Sequence, residues 1–64
     1  MPISKQSAKK ILEEAGAERV SESAALELSE KLNSFAYEHA RRAVKLARHA
    51  KRKTVKRQDV ELAF

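Results

Sequence analysis

The stretch ESAALELSEKLNSFAYEHARRAVKLARHA, Glu22–Ala50, contains neither Gly nor Pro. Its positions Ala25, Leu28, Leu32, Phe35, His39, Ala43, Leu46 and Ala50 recur by threes and fours. That spacing predicts one continuous helix of about 29 residues, about 43 Å long at 1.5 Å per residue. Ala24, Ala36, Ala40 and Ala47 widen the stripe with the strongest helix former. Ser21 stands where an N-cap hydroxyl is needed, and Glu22 suits the positive end of the helix dipole. A compact globule of this chain length has a diameter near ~28 Å. The long helix overruns it and offers an apolar stripe that two short flanking helices cannot cover. A second copy crossing the first is therefore expected, giving a dimer of packed long helices.

Working outward, Ala8, Ile11, Leu12 and Ala15 mark one face of an earlier helix, roughly residues 4–15. Ser4 or Ser7 is placed to cap its start. Gly16, the only glycine, follows its end, where a left-handed residue closes a helix. Ala17–Val20 is a short connection. After the long helix, Lys51-Arg52-Lys53 is a basic loop, and Thr54-Val55 has strand propensity over only two residues. Val60, Leu62, Ala63 and Phe64 predict a short third helix starting near Arg57, with no tail expected beyond it. The expectation is an all-α chain, one domain over residues 1–64. Its connections Arg19-Val20 and Thr54-Val55 are placed to meet at the ends of the long helices of a dimer.

Composition narrows the function. Sixty-four residues bury a modest core, and such chains usually need disulfides, a metal or a partner. There is no Cys, and two His without a cluster give no reason to expect a metal or other cofactor. No leader-like apolar run and no membrane span is expected, so the reading is a protein of the cell interior. Net charge is +5, which favours a polyanion. The charge is also segregated. Arg41, Arg42, Lys45, Arg48, Lys51, Arg52, Lys53, Lys56 and Arg57 follow one another without an acid, and Lys5, Lys9 and Lys10 form a smaller group. No nucleophile elbow, phosphate-binding glycine loop or metal-spaced His/Glu pair is present, so no enzyme is expected.

The order short helix, long helix, short helix resembles the histone fold, and the sequence resembles archaeal histones in particular. Ala15-Gly16-Ala17-Glu18-Arg19-Val20-Ser21 is similar to that family's first-loop motif. Leu46-Ala47-Arg48-His49-Ala50, Arg52-Lys53-Thr54-Val55-Lys56 and Asp59-Val60-Glu61-Leu62-Ala63 are similar to its second-loop and third-helix motif. The likeness runs from about Ile3 to Phe64; Ala24–Arg42 matches in pattern only. It implies a handshake dimer that wraps and compacts duplex DNA without choosing sequence, on the chromosome in the cytoplasmic nucleoid. Arg19 would enter the minor groove, as histone arginines do. Thr54 would hold that arginine or bond a phosphate. Lys53 and Lys56 would contact phosphates, with Arg57 as an added cation beside them. Ser21 would offer its hydroxyl and the helix N–H groups. Lys9 and Lys10 would make the central contact of the dimer. Arg52 and Asp59 would form a structural salt bridge. Leu46, His49, Asp59 and Leu62 would join dimers into a larger assembly on DNA, through a four-helix bundle with a His49–Asp59 hydrogen bond. Gly16 would allow close stacking besides its capping role. Lys51 stands where the family has a glycine.

Two other readings compete. A histone-fold dimerisation module of a transcription complex, paired with a paralogue, would lack the DNA cations at one loop. A membrane-active amphipathic peptide would carry no loop motifs and would have Trp on its apolar face. Arg19, Lys53, Thr54 and Lys56 together favour the DNA-compacting reading, and removal of Lys53 or Lys56 should lower the salt slope of DNA binding by about one unit.

Overall fold

A computed structural model describes residues 2–64. They form three helices, α1 (Lys5–Glu14), α2 (Glu22–His49) and α3 (Arg57–Ala63), and no strand occurs among them. The short–long–short order and the element bounds follow the sequence expectation to within a residue or two. Thr54-Val55 is loop, without a bridge inside the chain. The chain divides into two compact units, one ending at Ser34 and the other Phe35–Phe64, and α2 contributes to both.

In the first unit, Ser4 caps α1 by accepting the Ser7 N–H at 3.0 Å. At the other end Gly16 has φ +116°, and the Gly16 and Ala17 N–H groups return to the carbonyls of Glu13 and Leu12, each at 3.0 Å. These two bonds make a Schellman closure, whose left-handed residue is cheapest as glycine. A side-chain carbon on Gly16 would meet nothing within 4 Å, so backbone conformation alone accounts for glycine here. Ser21 begins α2 by accepting the Ala24 N–H at 3.1 Å. Asn33 ties the N-terminal segment to α2. It accepts the Ile3 N–H at 2.9 Å and donates to the carbonyls of Ile3 and Ser29 at 2.9 and 2.7 Å. Ala8, Ala25 and Ser29 are buried.

In the second unit, α2 ends in another Schellman closure. Lys51 N–H reaches the Arg48 carbonyl at 2.8 Å and Arg52 N–H the Ala47 carbonyl at 2.9 Å. Lys51 takes the left-handed position, φ +58°. The closing bonds involve backbone only, so a lysine can occupy the site, at a cost of about 1 kcal/mol for a side chain in that conformation. Lys51→Gly is therefore expected to raise stability by about 0.5–1 kcal/mol, read as a higher urea midpoint at unchanged slope. Ala43, Ala47, Ala63 and Asp59 are buried.

The buried apolar residues are all alanines. The stripe along α2 is only partly covered: Ala25 and Ala43 are buried, Leu28, Leu32, His39 and Leu46 half-buried, Phe35 and Ala50 exposed. Phe35 is 53% exposed and Phe64 68%. A single copy places nothing over this face, so the large side chains remain wet. A folded chain of this size with an alanine core leaves most of its hydrophobic stabilisation unrealised.

Candidate nucleic-acid interface

The N-terminal end of α2 gathers the first group of expected contacts. The connection Ala17–Val20 presents Arg19 as an exposed side chain, and among the described residues it makes no ion pair. Lys9 from α1 and Ser21 line one concavity of about 220 Å³, together with Val20. Lys9 and Lys10 line a second, of about 480 Å³. The Ser21 oxygen is already occupied by its capping bond, which leaves its hydroxyl proton to donate. The local cause is the cap itself: the hydroxyl that starts the helix stands beside the lysine of the preceding one.

The loop after α2 is built around Arg52. Its guanidinium donates to both oxygens of Asp59, at 2.9 and 2.7 Å, and also to the Thr54 carbonyl at 3.0 Å. Asp59 further accepts the Lys56 N–H at 2.8 Å at the start of α3. Lys56 has no acceptor in its side chain, so this is one half of a capping box. The expected Arg52–Asp59 pair thus forms, and it is bidentate, the strong geometry for such pairs. Asp59 is 2% exposed. The Arg52 hydrogen bonds foremost, then the Lys56 N–H, hold its carboxyl down at about 2, and the same bonds raise Arg52.

This geometry carries an acid limit. The folded chain prefers the ionised carboxylate, so the unfolded chain binds more protons once the pH falls below the ordinary carboxylate value near 3.8. The pair's contribution is fully present above that value and disappears as the pH falls to about 2. Acid unfolding followed by circular dichroism is expected to show this loss, and Asp59→Asn to remove that segment of the pH dependence.

Around this brace, Lys53, Thr54 and Lys56 are exposed, and neither lysine makes an ion pair among the described residues. Arg57 differs: it pairs loosely with Glu61 at 3.6 Å while staying 91% exposed. Lys53 shares a concavity of about 310 Å³ with Arg48, Val44 and Val55. The juxtaposition of Arg48 with Lys53 has no signal in the sequence, because it depends on how the loop folds back after Lys51.

Leu46, His49 and Leu62 line an open groove of about 430 Å³ with Arg42, Lys45 and Ala63. Three of the four residues expected at a dimer–dimer contact are thereby brought together. Asp59 lies instead against Arg52, with three acceptor positions filled. His39 is ringed by Phe35 and Phe64, at 4.2 and 4.3 Å between centroids, and its Nδ1 lies 2.9 Å from the Phe35 carbonyl. No group of three metal-ligating side chains occurs among the described residues, and no helix of theirs is long and apolar enough to cross a membrane.

Comparison with known proteins agrees with this layout. The family model for histone-like transcription factors (CBF/NF-Y) and archaeal histones matches residues 2–64. A probable archaeal histone 3 of Methanocaldococcus jannaschii is 56% identical over 55 residues, covering 86% of this chain and 82% of that protein. One subunit of the archaeal histone HAN1 of Thermococcus zilligii is 54% identical over 54 residues, covering 84% and 81%. With the helix order, both loop motifs and these relatives in agreement, the chain belongs to the family of archaeal histones and histone-like CBF/NF-Y factors, a family of DNA-packaging proteins and not of enzymes.

Proposed function

We propose that two copies of this chain form one handshake dimer that binds and bends duplex DNA through its phosphates, without reading bases. Membership of the archaeal histone family supports DNA binding and packaging as such. The observation that carries the finer reading is the set of exposed, unpaired cations in the two connections flanking α2, Arg19 on one side, Lys53 and Lys56 on the other. Side chains of this kind reach phosphates and narrow minor grooves; none is braced in the way that base readout requires. In the dimer each copy's residues 1–64 complete a single histone-fold domain. Arg19 of one copy comes beside Thr54 of the other, and Lys9, Lys10 and Ser21 supply contacts near the middle. Arg57 adds charge at the rim.

Three inward-facing contact regions imply protection of about three helical turns, ~30 bp per dimer. Micrococcal nuclease digestion of the complex is expected to leave fragments of that length or its multiples, from any sequence, with preferences following bendability. Absence of protection, or protection of one sequence only, would overturn the reading. Multiples would reflect dimers joined through the Leu46–His49–Leu62 groove, with Asp59 offering its remaining acceptor position to His49 and Gly16 permitting close stacking. In the cell this places the protein on the chromosome, in the cytoplasmic nucleoid. A paralogue as the second chain is the alternative to a homodimer; one relative is named as a subunit, which favours keeping it in view.

A further inference from the structure

On α2, Tyr37, Arg41, Lys45 and Arg48 fall within an arc of about 80°, turned away from the buried Ala43 and Ala47. All four are exposed, Tyr37 at 68%, and the Arg41 guanidinium lies 6.0 Å from the Tyr37 ring centre. The other cations of this helix are neutralised by an acid four residues earlier, Lys31 by Glu27 and Arg42 by Glu38. Arg41, Lys45 and Arg48 make no ion pair among the described residues. They follow one another at i,i+4 and i,i+3, the spacings at which like charges destabilise a helix. The helix dipole favours Arg48, in the last turn, but not Arg41 two turns earlier. Such a row is stabilised when a polyanion lies along it.

We propose that this face of α2 holds the phosphate backbone of a second DNA duplex, so that a dimer already on one duplex bridges it to another. The inference rests on the reading that the loops hold the first duplex. A protein partner would need apolar anchors, and the row offers one tyrosine. Single strands stack on successive aromatic rings, and here there is one. A phosphate backbone needs only cations at regular intervals, with a tyrosine hydroxyl as an added donor.

The test loads the protein on a tethered 60-bp duplex and measures capture of a fluorescent second duplex. R41A/K45A/R48A is expected to lower capture tenfold or more, while affinity and salt slope on a single short duplex stay unchanged. R41K/R48K is expected to keep the capture. Helix content and melting temperature of the alanine variant should be unchanged or higher, since the repulsion has been removed. The proposal is overturned if wild type captures no second duplex, if the alanine variant captures as much as wild type, or if its single-duplex salt slope falls, which would place the row on the loops' own DNA track. Preferential capture of polyglutamate or of a single strand would overturn it as well. Failure of the loop reading is a separate outcome: K53A/K56A would then retain the tethered duplex.

Discussion

Lys53→Ala with Lys56→Ala is expected to cut the salt dependence of DNA binding by about 3.6 in slope for a homodimer. Each phosphate contact contributes about 0.9 to the slope on B-form DNA, and two lysines in two copies make four contacts. Between 50 and 200 mM salt, the wild-type protein should then lose ~10²-fold more affinity than the variant. A heterodimer in which only this chain contributes these lysines would show about half the change, ~1.8, so the slope also distinguishes the two assemblies. The fold should survive, because both side chains are exposed and neither is paired. The Asp59 bond to Lys56 uses the backbone N–H, which alanine keeps. Fluorescence titrations over a salt series on two unrelated sequences check both points. An unchanged slope, or a change confined to one sequence, would remove these lysines from the phosphate contacts.

Phe35→Ala is expected to abolish the dimer at micromolar concentration. Phe35 sits on the long-helix stripe, stacks on His39 and lies 5.7 Å from Phe64, yet is 53% exposed in the single copy. If a crossing helix covers it, truncation costs about 3–5 kcal/mol per ring, and a dimer contains two. The resulting ~6–10 kcal/mol matches the whole stability of a small protein. Leu62→Ala is the contrasting variant. Leu62 is 75% exposed and lines the groove assigned to dimer–dimer contact, so its loss should leave the dimer and its melting intact while shortening assemblies on DNA. Melting over a hundredfold concentration range, with sedimentation, separates the cases: a wild-type dimer melts higher at higher concentration by mass action. A wild-type chain that sediments as a folded monomer, with a concentration-independent transition, would refute the dimer.

What the sequence makes legible is governed by local chemistry. Ser4 and Ser21 mark helix starts because a hydroxyl caps within three residues of itself, and both caps form as read. Gly16 marks an end because the closure needs a left-handed residue at that one place. Lys51 shows that the same closure tolerates a costlier residue when its bonds are made by backbone groups. Asn33 gives no signal, because its value lies in the Ile3 backbone thirty residues away. Arg48 beside Lys53 is equally invisible, since only the folded loop brings it there.

Sequence alone determined the three helices, their caps, the segregation of cations and the family, because each of these rests on neighbours within a turn or on a contiguous motif. The tertiary structure decided which residues are actually covered and which charges are engaged. It buried alanines and left Phe35 and Phe64 in water; it locked Asp59 against Arg52 and left Lys53 and Lys56 without partners among the described residues. The reason is geometric: burial and pairing depend on what lies opposite a side chain in space, and helical periodicity specifies a face without specifying what stands against it.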